Sequence, residues 1–164
     1  MMMRLFPMTA VLAAMCVAGE PSPPKDPDSK QDPPMICRNL TKGNVVATDL
    51  IVADTWETRR KGFLGRTSTE PGEGMLLVPC FAIHMVGMKF ALDVVFLDRD
   101  DKVVGIDTNV KPGTLNSSCR KAHSTLELPP GTVAAKRIEK GDVLQVIRAD
   151  EAAKEKGAEK GEEK

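Results

Sequence analysis

The feature that most constrains the fold of this chain is one apolar stretch in residues 74–98, GMLLVPCFAIHMVGMKFALDVVFLD. Pro79 and Gly87 interrupt the stretch, and the turn-forming run DRDD follows directly, at residues 98–101. Such breaks do not suit one long buried helix, whereas short strands that are buried on both faces read as near-continuous apolar runs. We therefore predict several short, buried strands in the middle of the chain.

The sequence on either side predicts a mainly β fold with two short helices. Residues 45–53 and 142–148 have strand character, residues 102–106 are expected to form a hairpin with the central strands, and residues 122–128 alternate like a half-buried strand. One helix is predicted after Asp54, with Glu57 three positions later, and another at Thr132. We predict a compact barrel or sandwich with helical decoration.

The two ends of the chain do not have the composition of a folded core. Residues 1–19 contain Arg4, an apolar stretch and small residues, the pattern of an export signal. Residues 20–36 are rich in proline and charge and are expected to form a linker, and residues 150–164 are expected to form a charged, disordered tail. The β domain then spans residues 37–149, and we expect the protein in the periplasm or outside the cell.

Cys16 leaves a second mode of export open. If cleavage occurred directly before it, Cys16 would be the lipidated first residue of a bacterial lipoprotein, although Met15 stands where a small residue is usual. A cleaved, soluble form is favoured. The alternative is a protein that touches the membrane only through a lipid anchor at Cys16.

Charge and aromatic content exclude a nucleic-acid partner. The 164 residues carry 23 basic and 23 acidic side chains, no tyrosine, five phenylalanines and one tryptophan. Nucleic-acid binding relies on a basic surface and, for single strands, on exposed stacking aromatics. We expect instead an unidentified small ligand or a cell-envelope component as the partner, and no cofactor is predicted.

Three cysteines remain once the export signal is removed, namely Cys37, Cys80 and Cys119. In an oxidising compartment, an exposed thiol tends to be paired, so we expect one disulfide and one leftover cysteine. All three pairings remain open.

Four segments in a fixed order resemble the domain of unknown function family 192: ETRRKGFLGR, GEGMLLVPC, IHMVGMKFALDVVFLD and STLELPPGTVAAKRIEKGDVL. The resemblance covers about residues 44–146 and implies a small, mainly β, jelly-roll-like domain with short helices. It brings no established activity. The positions that match the family's motifs are Gly62, Pro79, Cys80, His84, Met88, Asp93, Glu127, Leu128, Gly131, Gly141 and Asp142.

The resemblance also limits the role of His84. Other members of the family have tryptophan at this position, which implies that the family as a whole does not need an imidazole there for catalysis. This chain departs from the family pattern at Met85, where threonine is frequent, and in having Cys119.

Cys80, His84 and Met88 recur every four residues, and together they offer the soft ligands that suit Cu(I). On a strand, however, residues four apart are separated by roughly 13 Å, too far to share one ion. We favour the interpretation that the methionines fill the core, that Cys80 is disulfide-bonded or inert, and that His84 is a buried, hydrogen-bonded ring.

Asp93 stands inside an apolar strand, where a carboxylate is costly without a partner. One interpretation is structural, with Arg60, Lys89 or His84 as the partner. The other is functional, with Asp93 and His84 as the polar floor of a ligand pocket and Met88 beside them.

Two functional hypotheses follow. The first is an exported, non-catalytic β domain that binds a small ligand or an envelope partner through His84, Asp93 and Met88. The second is a thiol- or metal-dependent enzyme, or a Cu(I)-binding protein, that uses Cys80 and His84.

Overall fold

A computed structural model describes residues 34–158 of the chain. The described part contains nine strands and three helices, in the order β1 (Met35–Asn39), β2 (Asn44–Ala53), α1 (Trp56–Lys61), β3 (Glu73–Leu77), β4 (Ala82–Ile83), β5 (Leu92–Leu97), β6 (Val103–Val110), β7 (Ser117–Ser118), β8 (Ser124–Leu128), α2 (Thr132–Lys136), β9 (Leu144–Arg148) and α3 (Ala149–Ala158).

Seven strands form one curled, half-barrel sheet in the order β6-β5-β8-β3-β2-β1-β9. The β2–β3 pair is parallel, and the other pairs of this sheet are antiparallel, including the predicted β5–β6 hairpin. A separate two-stranded ribbon is formed by β4 and β7. The prediction of a small, mainly β domain is thus confirmed.

The sheet is buried on both faces, which explains the near-continuous apolar run of residues 74–98. Alternate side chains of each central strand enter different cores. One face holds Leu76, Val95, Leu97, Leu126 and Leu128. The opposite face holds Phe63, Met75, Leu77, Leu92, Val94 and Phe96. Polar side chains at these central positions are therefore buried as well.

The first helix begins one residue later than the sequence predicted. Its N-cap is Thr55, whose hydroxyl accepts a hydrogen bond from Thr58 N at 3.2 Å while Thr55 N donates to Thr58 Oγ1 at 3.1 Å, so Asp54 and Glu57 do not form the capping box. The helix ends at Gly62, whose φ of 48° is strained for any residue with a Cβ atom. This cap places three consecutive basic residues in the last turn of α1.

One other prediction about the elements is corrected. Strand β8 is buried at all five positions, not half-buried. Helix α3 occupies the first part of the segment that was expected to be a charged tail. The predicted export signal, Cys16 and most of the linker lie outside the described residues.

Within residues 34–158, none of the helices combines the length and the hydrophobicity that crossing a bilayer requires.

Candidate functional site

A cleft of about 240 Å³ opens between α1 and the chain segment that follows β3. Trp56 and residues 59–64, from α1 and the turn after it, form one side, and residues 79–80, 82–85 and Met88 form the other. Leu77 of β3 and Glu127 of β8 lie at its base, in the sheet. The cleft therefore ends on the central strands of the fold.

Glu127 is the polar group at the base of this cleft, and it is only 6% exposed. Strand β8 lies between β3 and β5, and the register places Met75 and Val94 directly opposite Glu127 on its two sides. Directly opposed residues project from the same face of a sheet. The carboxylate consequently lies between two apolar side chains that are almost completely buried.

No hydrogen bond or ion pair compensates the Glu127 carboxylate among the described residues. Burial therefore raises its pKa from 4.5 to about 7, because the charged form is the one that loses hydration. Its Oε2 is near Gly62, where an added Cβ atom would approach it to 4.0 Å. Near neutral pH, Glu127 can thus accept a hydrogen bond as a carboxylate or donate one as a carboxylic acid.

The helix side of the cleft carries positive charge. Arg59 donates hydrogen bonds to the carbonyl oxygens of Asp54 at 2.6 Å and Val78 at 2.9 Å, and the Arg60 guanidinium lies 5.0 Å from the centroid of the Trp56 ring. Within residues 34–158 neither arginine forms an ion pair with a carboxylate. Lys61 lines the cleft beside them.

Three of the residues singled out from sequence line this same cleft: Cys80, His84 and Met88. His84 is exposed, in contrast to the buried ring that we expected. Cys80 is partly buried, and its thiol donates to the carbonyl oxygen of Ala82 at 3.2 Å. Within residues 34–158, no cluster of three or more His, Cys, Asp or Glu side chains has the geometry to hold a metal ion.

Asp93 belongs to a different part of the fold. Its Oδ1 accepts a hydrogen bond from Asn109 N at 2.9 Å and its Oδ2 accepts one from Val133 N at 3.0 Å. These partners correct the expectation of Arg60, Lys89 or His84, and Asp93 does not line the cleft. The structure therefore does not bring Asp93 together with His84, and its carboxylate has a structural role at the start of α2.

The expected disulfide is absent from the described residues, because Cys37, Cys80 and Cys119 are all free thiols. Cys37 is completely buried in the core, and this burial raises its pKa to about 12. Cys119 packs beside Gly105, with its Sγ 3.3 Å from the position of an added Cβ atom. The burial of Cys37 fits the expected leftover cysteine, but Cys80 and Cys119 are not joined to each other.

Sequence reasoning missed Glu127 as a site residue. It stands in the alternating segment HSTLEL, which favoured a solvent-facing side for Thr125 and Glu127. The neighbouring strands β3 and β5 flank that side, and the turn after α1 covers it, with Gly62 close to Glu127 Oε2. The one available signal was its place in the motif of the family resemblance, and that signal assigned no role.

With the geometry established, relatives can be compared. The profile of the domain of unknown function family 192, described as an uncharacterized ACR, matches residues 38–146. The chain belongs to this family. A UPF0127 protein from Pyrococcus furiosus is 30% identical over 113 residues, which cover 65% of this chain and 94% of that protein. The family has no stated activity that could be transferred to the cleft.

Solved structures share the fold. A protein of unknown function from Novosphingobium aromaticivorans is 25% identical and superposes with a TM-score of 0.60, covering 68% of this chain and 83% of that one. A proposed transcription regulator from Sinorhizobium meliloti is 23% identical with a TM-score of 0.59, covering 68% and 91%. These similarities establish the architecture, and the function has to be argued from the cleft.

Proposed function

We propose that this protein is exported and binds a small organic ligand in the cleft between α1 and residues 79–88. The cleft combines apolar walls with a few polar groups that converge on the same space, as small-molecule sites usually do. Its volume is slightly below the roughly 300–1,000 Å³ of sites for drug-sized ligands. The ligand is therefore a compact molecule.

One observation carries the proposal, the unpartnered carboxylate of Glu127 at the base of the cleft. A buried carboxyl group without a hydrogen-bond partner costs folding free energy, and such groups concentrate where a protein uses them. The other buried carboxylates show the usual solution: Asp93, Asp142 and Glu73 all accept hydrogen bonds from neighbouring groups. A ligand that completes the hydrogen bonding of Glu127 explains the exception.

The test is a thermal-shift screen of small metabolites against the wild-type protein, followed by affinity measurements on variants. Glu127→Gln is expected to change the affinity for ligands of the cleft at least tenfold at about pH 8.5. The matched control is Glu139→Gln, because Glu139 is an exposed acid outside the cleft. Equal effects of both substitutions on every ligand found would remove the cleft from consideration.

Export rests on the pattern of Arg4, the apolar stretch and the small residues that follow it. The full-length chain expressed in its native host should appear outside the cytoplasm with a mass that corresponds to loss of about 19 residues. A form cleaved before Cys16 that carries lipid would establish the anchored alternative. An uncleaved protein in the cytoplasm would contradict export.

A second candidate, thiol chemistry, is favoured by one observation, the presence of Cys80 and His84 in the same cleft. Iodoacetamide should alkylate a nucleophilic Cys80 much faster than Cys37, which is an internal control because it is fully buried and has a raised pKa. Thiol chemistry is dismissed if iodoacetamide alkylates Cys80 no faster than it alkylates a small model thiol. The alternative of a Cu(I)-binding protein is dismissed if Cu(I) binding is unchanged in Cys80→Ser and His84→Ala.

A further inference from the structure

The cleft has an unequal charge composition. Its lining contributes the guanidinium groups of Arg59 and Arg60 from α1 and a single carboxylate, that of Glu127, whereas Lys61 also lines the cleft but is engaged in another interaction. The remaining ionisable groups that line it are Cys80 and His84, both from the segment after β3. An approaching cation would meet the basic turn of the helix, whereas an anion would be attracted by it.

The guanidinium groups keep their charge available for a ligand. Arg59 is held by backbone carbonyl oxygens, which fix its position without neutralising it, and Arg60 lies over an indole ring. Arginine in such a fixed position is suited to binding carboxylate or phosphate oxygens. The positive side of the cleft is therefore preorganised.

The body of the ligand is constrained by the apolar part of the lining. Leu77, Ile83 and Met85 are buried, and Met88 is half-buried. Methionine side chains adapt to different apolar shapes. A molecule that fills this space has a hydrocarbon portion in addition to its charged group.

We propose that the ligand is an amphipathic organic anion, such as a short-chain carboxylate, and that Glu127 takes up one proton from the solvent when this anion binds. The inference rests on the proposed binding function of the cleft. An anion brought close to an ionised Glu127 would repel it across a weakly screened space. In the protonated form the repulsion disappears, and the Glu127 O–H can donate a hydrogen bond to an oxygen of the anion.

Proton uptake gives the binding a defined pH dependence. Below the pKa of Glu127, about 7, the carboxylic acid is already present and no proton has to be taken up. Above this pKa, the dissociation constant increases with pH, by up to about tenfold per pH unit, because each binding event consumes one proton. His84 is also an ionisable group of the lining, so its contribution has to be separated from that of Glu127.

The experiment compares three probes of equal chain length: hexanoate, hexylammonium and hexanol. Each keeps one charge state between about pH 6 and about pH 8.5, so changes in binding report on the protein. Amide chemical shifts of the full-length protein locate the binding and give dissociation constants. Hexanoate should bind at the cleft at least tenfold more tightly than hexylammonium at about pH 6, and should weaken by roughly tenfold or more by about pH 8.5.

Variants identify the groups responsible. Glu127→Gln should abolish most of the pH dependence and keep hexanoate binding at about pH 8.5 close to its low-pH value. His84→Gln should retain the pH dependence. Arg60→Gln should weaken hexanoate binding at least fivefold, whereas the matched control Arg99→Gln, at an exposed position outside the cleft, should not.

The outcomes separate this inference from the proposed function. Three results would overturn the inference but not the proposed function: a preference for hexylammonium, an affinity for hexanoate that rises with pH, or a pH dependence that is lost in His84→Gln and kept in Glu127→Gln. The inference is also overturned if the amide chemical-shift changes caused by all three probes lie outside the cleft. If the metabolite screen finds no ligand of the cleft either, the proposed function is overturned as well.

Discussion

Asp93 and Glu127 are two buried carboxylates on adjacent strands, and their surroundings could hardly differ more. Asp93 is 1% exposed and Glu127 is 6% exposed. Asp93 lies on the face of the sheet that α2 covers, where two backbone N–H groups bind its oxygens. Glu127 lies on the opposite face, between Met75 and Val94, with no such partner among the described residues.

The comparison shows that burial alone does not mark a functional acid. Backbone N–H donors make Asp93 part of the architecture, since they connect β5 to Asn109 near the end of β6 and to α2. Glu127 contributes nothing of this kind and faces a cleft. What distinguishes the two is whether the protein itself supplies the hydrogen bonds that burial removes.

The largest effect is expected for Asp93→Ala. The substitution leaves two buried backbone N–H groups without an acceptor, and we expect a loss of about 4 kcal/mol in the free energy of unfolding, measured by urea denaturation. Asp93→Asn keeps one acceptor oxygen and should lose less. A loss below about 1 kcal/mol for the alanine variant would show that these hydrogen bonds do not connect the fold as described.

Glu127→Gln should have the opposite sign. The folded state holds the Glu127 proton more tightly than the unfolded state, because burial raises the pKa from 4.5 to about 7. Its contribution to stability is therefore fully present below about pH 4.5 and is lost as the pH rises through about 7. At about 1.4 kcal/mol per pKa unit, this loss amounts to about 3 kcal/mol.

Glutamine carries no charge that would need hydration, so the variant should be up to about 3 kcal/mol more stable than the wild type at about pH 8.5 and nearly equal to it at about pH 4. Urea denaturation at both pH values measures the difference. Destabilisation at the higher pH, of the size expected for Asp93, would mean that the Glu127 carboxylate is as well bonded as that of Asp93.

Glu73 provides an intermediate case on the strand beside Glu127. Its carboxylate pairs with Arg66 at 2.5 Å and accepts a hydrogen bond from Glu70 N at 3.0 Å. Glu73→Gln should cost about 1–2 kcal/mol of unfolding free energy at neutral pH, since it removes the ion pair and weakens the hydrogen bond. A gain in stability, as predicted for Glu127→Gln, would erase the distinction between partnered and unpartnered acids.

The smallest effect is expected for Trp56→Ala. Trp56 is 61% exposed at the mouth of the cleft, and among residues 34–158 its indole ring stacks only with Arg60. Unfolding free energy should change by no more than about 0.5 kcal/mol, while hexanoate binding reports any contribution of the ring to the site. A loss above about 2 kcal/mol would make this side of the cleft part of the core.

Much of the fold could be predicted from sequence because the signals are local. Strand β2, the β5–β6 hairpin and the approximate positions of α1 and α2 follow from apolar runs and turn residues, whereas the capping residues differ: Thr55 caps α1, and Gly131 is the N-cap of α2. The cysteine pairing could not be predicted, because it depends on distances between residues far apart in the chain. Helix α3 was not predicted, because its sequence has no apolar stripe that would indicate a helix.

Some residues of the candidate site could likewise be predicted from sequence, and others could not. Cys80, His84 and Met88 were selected for their side-chain chemistry, and the fold does place them in one cleft. Glu127 was overlooked, and Asp93 was given a site role that its backbone partners contradict in part. A carboxylate looks the same in a sequence whether it is to be surrounded by N–H groups or by methyl groups.

By itself, the sequence determined the family, the mainly β class and the succession of short strands, because these depend on the order and period of side chains along the chain. The tertiary structure alone decided which acid is partnered and which faces a cleft. The reason is physical: hydration and hydrogen bonding of a side chain are set by strands and helices that lie close in space but far away in sequence, as β3 and β5 do around Glu127.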